Sequence, residues 1–210
     1  MLAPEFLARF GLFIAPGFIE RETCERLCAE IVAAGGARAT VTVDLSEDRL
    51  DEDFRRTTIA QISAASSALM ADRLLAFAPA LEQHFSVALD GCEPPQFLLY
   101  REGDFIGRHS DGAHEAQAPE WLKRRALSAV VFLNDHSDEA PAAGSFSGGA
   151  LTFYGLLAAD PRGGAIGLPL RGTAGLLVVF RTDLVHEVAS VVRGERCTAV
   201  SWYKARGGED

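Results

Sequence analysis

YREGDFIGRHSD, residues 100–111, decides how this chain is read, together with HEVASVVRGER at 186–196. The first segment carries His109-x-Asp111; the second carries His186 and, ten residues on, Arg196. Side chains at i and i+2 of an extended strand share a face, so a strand expected over 105–110 can present His109 and Asp111 to one ion. A second strand, expected over 184–188, has to bring His186 alongside. Two imidazoles and one carboxylate form the facial donor set of non-heme Fe(II) and leave three adjacent positions open. An α-keto acid fills two of those by chelation and leaves one for O2. Its far carboxylate then needs a cation, and a guanidinium on an inner strand face supplies a two-pronged partner. Arg196 is expected to be that cation, on a strand over 195–203 that follows a turn at Arg193-Gly194. Thr198 falls on the same face as a second donor, and Tyr100 can turn its hydroxyl toward the same interior. A lone HxD pair arises often by chance. HxD, a distal His and an Arg ten residues later, all on β-like segments, make a much narrower coincidence.

Outward from these two segments, the chain changes character after Gly91 and Pro94-Pro95. Short strands separated by turns are expected near 96–101, 105–110, 127–134, 149–154, 166–170, 175–180, 184–188 and 195–203. Eight such strands behind a helical N-terminal portion predict a mainly β fold with N-terminal helices, built on a double-stranded β-helix (jelly-roll) core. A single domain over residues 1–210 is expected, with 1–95 as helical support and 96–204 as the core. DGAHEAQAPEWLKRR at 111–125 is long enough to form the mouth of the site, and DEAPAAGSFSGG at 138–149 reads as a flexible loop.

Upstream, Phe10–Ile14 is β-like and Pro16-Gly17 ends it. A helix from about Glu20 places Cys24, Leu27, Cys28, Ile31 and Val32 on one face, and Gly35-Gly36 stops it. Ala39–Val43 is again β-like, and the acidic run 44–53 is too polar to bury and reads as a loop. Residues 62–89 carry an apolar stripe of Leu69, Leu74, Phe77, Leu81 and Phe85, with Pro79 marking a kink or a break into two helices. Trp202 and Phe180 are read as core.

With 29 acidic against 20 basic residues and a net charge of −9, a nucleic-acid partner is not expected. The four cysteines form no CxxC pair and read as free thiols. Glu5 and Arg9 interrupt any signal-peptide core, and no apolar run reaches membrane-spanning length, so a soluble, cytoplasmic protein is expected.

The same residues carry a family likeness. Tyr100-x-x-Gly103 leading into His109-x-Asp111, VVFLND at 130–135, GGALTFY at 148–154 and VVFRTDLVHEV…GERCTAVSWY at 178–203 resemble the prolyl 4-hydroxylase-like branch of the Fe(II)/2-oxoglutarate-dependent dioxygenases. The resemblance implies iron at His109, Asp111 and His186, and Arg196 on the 5-carboxylate of 2-oxoglutarate, with Tyr100 as a second co-substrate contact. Phe132 stands where some relatives carry Tyr, and Val200 where others place a hydroxyl, a role Thr198 can take. Ascorbate is implied only as an accessory reductant. Because related halogenases replace the carboxylate by a small residue, the retained Asp111 favours hydroxylation.

The expected activity is hydroxylation of an aliphatic C–H, in a prolyl or similar residue of a peptide or protein, a free amino acid or a small metabolite. Desaturation, epoxidation or cyclisation with the same cofactors stays open, as does a non-catalytic jelly-roll that binds metal or ligand. For substrate contact the candidates are Arg56, with Arg55 beside it, His114 and Trp121, each of which also reads as an ordinary surface group.

Overall fold

The runs QFLLY at 96–100, SAVVF at 128–132 and LLVVF at 176–180 are apolar on both strand faces, as a sheet covered on both sides requires. In a computed structural model of the chain, which describes residues 8–43, 47–112, 118–139, 143–156 and 166–207, all three runs lie in one antiparallel sheet. Its core strands are β1 (Gln96–Tyr100), β3 (Arg125–Phe132), β6 (Leu177–Arg181) and β8 (Arg196–Ala205), in the order β6-β3-β8-β1. Leu12–Ala15 extends the sheet beyond β6, while Thr58–Ala60 and then Gly36–Arg38 extend it beyond β1. A smaller sheet contains β2 (Phe105–His109), β4 (Leu151–Tyr154), β5 (Gly167–Leu170) and β7 (His186–Val188), in the order β5-β4-β7-β2, with Arg55–Arg56 on the outer edge of β2. Apart from β4 and β5, which pair within the smaller sheet, consecutive strands alternate between the two sheets, and this is the double-stranded β-helix. The eight strands expected from sequence are its eight.

Two helices close the outer face of the larger sheet. Helix α1 (Arg21–Ala34) buries Cys24, Leu27 and Ile31, but Cys28 is only half-buried and Val32 is exposed, so its packed stripe is narrower than expected. Gly35, at φ 64°, ends it. Helix α2 (Ala64–Phe85) is one element and runs through Pro79, where the sequence left a break open. A proline inside a helix costs about 3 kcal/mol. Here Met70, Leu74, Leu81 and Phe85 are buried along the same helix, and tertiary packing of that face outweighs the local cost. At the start of α2 the Ser63 hydroxyl accepts the Ser66 N–H at 3.3 Å.

The alternation along each strand divides the interior in two. Phe97, Leu99, Leu127, Ala129, Val131, Leu177, Val179, Cys197, Ala199 and Tyr203 point to the helices. Their immediate neighbours Leu98, Tyr100, Val130, Phe132, Val178 and Phe180 point between the sheets, against Ile106, Leu151, Phe153 and Val188 of the smaller one.

Several short strands were not expected. Glu47–Arg49 pairs with Val41–Val43, so that part of the acidic run is a hairpin arm and not a loop. Phe146–Gly148 pairs with Val191–Gly194, which makes a strand of part of the supposed 138–149 loop and places Arg193-Gly194 at a strand end instead of a turn. Gly36–Arg38, Arg55–Arg56, Thr58–Ala60 and Leu89–Cys92 are likewise two to four residues long. Pieces this short carry too little alternation to be read locally; partner backbones define them. Among the described residues no helix is long and apolar enough to cross a membrane.

Candidate active site

A bulge builds the first half of the site. His109 lies opposite His186 and Ile106 opposite Val188, so three steps along β2 match two along β7. In a regular strand residues 106 and 109 would face opposite ways; the extra residue turns both into the same cavity. Strand β2 ends at His109, so Asp111 is not positioned by strand alternation as the sequence suggested. Instead the N–H groups of Asp111 and Gly112 both donate to the Thr182 carbonyl, at 2.9 and 3.0 Å. A Cβ at residue 112 would come within 2.8 Å of the Thr182 hydroxyl, so glycine permits this close approach.

The result is convergence. His109 Nε2 stands 3.5 Å from Asp111 Oδ1, and His186 Nε2 stands 3.6 Å from Asp111 Oδ2. Donor atoms of the three residues all lie within 4.8 Å of one another. His109 Nδ1 meets the Gly107 carbonyl at 2.8 Å and His186 Nδ1 meets the Leu184 carbonyl at 2.9 Å. A carbonyl only accepts, so each Nδ1 carries the proton and each neutral ring turns an Nε2 lone pair inward. Two lone pairs facing a carboxylate repel unless a cation sits among them. The donor set therefore fits a divalent ion of the Fe(II) type.

Burial opposes charge on all three groups, yet the mutual attractions differ. Asp111 is held far below the usual carboxylate range, because His109, His186 and the Ser128 hydroxyl, which donates to Oδ2 at 2.7 Å, outweigh desolvation. Burial lowers the pKa of His109 as well, but Asp111 and the Gly107 carbonyl carry it above its ordinary value. At His186 burial prevails and the pKa falls.

Arg196 opens into the same cavity from the larger sheet, with Thr198 and Tyr100 beside it. The cavity has a volume of about 70 Å³, against the ~10–15 Å³ that a single water needs, so the space between the sheets is not filled by apolar packing here. Arg196 is 1% exposed, yet its Nε and Nη2 have no hydrogen-bond partner. Nη1 meets the Thr198 hydroxyl at 3.4 Å. The guanidinium lies 4.8 Å from the Tyr100 ring centre and 5.0 Å from that of Phe132. Burial pushes the Arg196 pKa down, with Tyr100 and Cys197 opposing, but a guanidinium stays protonated at any physiological pH. A buried, unpaired cation costs several kcal/mol, and an anionic guest removes that cost.

Residues not singled out from sequence hold this arrangement in place. Asn134 donates to the carbonyls of Gly144 and Glu195 and accepts the Cys197 N–H at 3.0 Å, gripping the chain on both sides of Arg196. Gly149, at φ +59°, lies where a Cβ would be 2.9 Å from Arg196 Cδ. Ser128 was legible as a hydroxyl placed in an apolar run. Trp202, expected in the core, lines the cavity, while Phe180 is core and meets His186 edge-on at 4.7 Å.

Among the substrate candidates, Arg56 does not line the cavity: its Nε donates to the Glu52 carbonyl at 2.9 Å and its guanidinium lies over Phe105. Trp121 is 51% exposed, packs under Arg125 and is also outside the cavity. His114 lies outside the described residues. Arg55, the neighbour of Arg56, does line the cavity.

A sequence profile of the 2OG-Fe(II) oxygenase superfamily matches residues 95–204, which is more than half of the chain. The chain belongs to this superfamily. A PKHD-type hydroxylase of Shewanella baltica is 28% identical over 168 residues, covering 80% of this chain and 63% of its own length, so the chain spans less than two thirds of that relative. The crystal structure of a Pseudomonas putida prolyl-4-hydroxylase superposes with a TM-score of 0.64 at 26% identity and covers 97% of both chains. A prolyl hydroxylase from Trichoplax adhaerens, solved with a peptide fragment, reaches a TM-score of 0.65 at 15% identity and supports the fold alone. The 2OG-Fe(II) oxygenases are oxidoreductases that use Fe(II), 2-oxoglutarate and O2, and the His-Asp-His cluster suits that metal.

Proposed function

We propose that the chain, as a single domain over 1–210, is an Fe(II)- and 2-oxoglutarate-dependent dioxygenase that hydroxylates an aliphatic C–H. The substrate is a prolyl or similar group in a peptide, protein, free amino acid or small metabolite. One observation carries the reading: a fully buried Arg196, whose Nε and Nη2 have no hydrogen-bond partner, shares a cavity with three convergent metal-type donors. A metal site alone has no use for that guanidinium, whereas a dicarboxylic co-substrate reaching from the ion needs it.

In this reading the Nε2 atoms of His109 and His186 and the carboxylate of Asp111 would hold iron, with Ser128 orienting the carboxylate. Arg196 pairs with the 5-carboxylate of 2-oxoglutarate, Thr198 adds a hydroxyl, and the Tyr100 and Phe132 rings keep water from the ion pair. Iron supplies O2 activation, so that R–H, O2 and 2-oxoglutarate give R–OH, succinate and CO2. Backbone carbonyls of Gly107 and Leu184 hold the two Nδ1 protons and fix the ring tautomers throughout. Ascorbate enters as an accessory reductant. A cytoplasmic setting accords with the four free cysteines.

The test is succinate release measured with a panel of prolyl peptides and free amino acids. It is expected to require both Fe(II) and O2, and to vanish in His109→Ala. Metal binding that persists unchanged in His186→Ala contradicts the ligand assignment.

A further inference from the structure

Arg196 is not the only guanidinium in the cavity with unmet bonding capacity. Among the described residues Arg55 Nε is buried without a partner, and Nη1 makes a long contact to the Thr40 carbonyl at 3.4 Å. Its side chain lines the cavity that contains His109, and its strand pairs with β2, Arg55 lying opposite Ile106. Several other arginines of this acidic chain find carboxylates: Arg38 meets Asp104, Arg108 meets Glu187, and Arg125 grips Glu93 with two bonds of 2.6 and 2.7 Å. Among the described residues Arg55 faces the site without one, although the chain has nine more acidic than basic groups.

The two arginines with unbonded buried nitrogens come from opposite sheets. Arg196 lies on central strand β8 of the larger sheet, and Arg55 lies at the edge of the smaller sheet beside β2. One dicarboxylate co-substrate chelated at the metal has a single free carboxylate, and Arg196 with Thr198 receives it. The second guanidinium is left for the other reactant. We propose that Arg55 binds a carboxylate on the molecule that is oxidised, which makes the substrate a carboxylate-bearing one. The planar fork of Nε and Nη matches two carboxylate oxygens, and desolvation at the cavity edge strengthens that pairing. The carboxylate can belong to a free amino acid or to the C-terminus of a peptide; both present the same group. This assignment rests on the dioxygenase reading above.

The experiment uses the full chain with Fe(II) and saturating 2-oxoglutarate under anaerobic conditions, where the visible iron-to-co-substrate charge-transfer band reports entry of a second molecule. The probes are free L-amino acids and prolyl tripeptides, each offered as the free acid and as the carboxamide. At least one acid is expected to perturb the band, with its carboxamide weaker by about tenfold or more. In Arg55→Gln that preference should disappear while the affinity for 2-oxoglutarate stays as in the wild type. Arg55→Lys should restore part of the preference, and Arg56→Gln should keep all of it. Whether the tripeptide or the amino acid responds tells which source the site takes. The proposal is overturned if carboxamides bind as well as acids, if no probe perturbs the band, or if Arg55→Gln retains the preference. Weakened 2-oxoglutarate binding in Arg55→Gln also overturns it, because Arg55 would then serve the co-substrate. A wild-type chain with no band at all defeats the metal assignment together with this one.

Discussion

The two faces of the larger sheet are made by alternate residues of the same strands, and they have opposite characters. Toward the helices every strand presents apolar groups, Leu99, Leu127, Val131, Leu177, Val179 and Ala199 among them, closed off by α1 and α2. Toward the smaller sheet the same strands present Tyr100, Ser128, Arg196 and Thr198 around a cavity. Arg196 and Cys197 are adjacent in sequence and both buried, yet one leaves hydrogen-bonding capacity unmet and the other packs in the helix-facing core. A single strand can thus carry stability on one side and a binding demand on the other, because its side chains alternate. Substitutions on the two faces should separate folding from function.

The largest effect is expected from the metal donors. Asp111→Ala removes the only carboxylate of the cluster and should abolish turnover and the anaerobic charge-transfer band, while the chain remains folded by circular dichroism. Next comes Leu127→Ala on the helix-facing side, where a fully buried leucine is lost. Stability measured by denaturant unfolding should fall by about 2–5 kcal/mol, with 2-oxoglutarate affinity unchanged in the folded fraction. Arg196→Ala should weaken 2-oxoglutarate binding by about 2–5 kcal/mol in titrations followed by that band, with Fe(II) affinity retained. Ser128→Ala is the mildest. It removes one hydrogen bond to Asp111 and should weaken Fe(II) binding by roughly tenfold, seen by metal titration, with no change in 2-oxoglutarate recognition once metal is saturating.

How much of this was legible in the sequence follows from the range over which each feature is encoded. The eight core strands carry their own alternation and turn signals, so they stood out locally. The His109, Asp111, His186 and Arg196 set stood out because charged and imidazole groups on strands of a buried sheet are conspicuous. The route by which Asp111 reaches the cluster did not, since a bulge in β2 and two N–H bonds to Thr182 depend on partners at least 70 residues away. Arg55 and Arg56 show the same limit. Neighbours of identical type diverge because one strand pairing with β2 sends the first toward the cavity and lets the second bond to Glu52. Trp202 was misplaced for a related reason, as an aromatic on an inner face can border a cavity or fill a core, and only the residues opposite decide.

The central claim is that Arg196 is kept as an uncompensated cation for the sake of a dicarboxylate. Thermal unfolding of wild type and Arg196→Met, each with and without 2-oxoglutarate in the presence of anaerobic Fe(II), tests it without relying on turnover. Arg196→Met is expected to unfold at a higher temperature than wild type when 2-oxoglutarate is absent, since an apolar side chain of similar length replaces a buried unpaired charge. 2-Oxoglutarate should stabilise the wild type and have little effect on the variant. A variant less stable than the wild type, together with equal stabilisation of both by 2-oxoglutarate, contradicts the account.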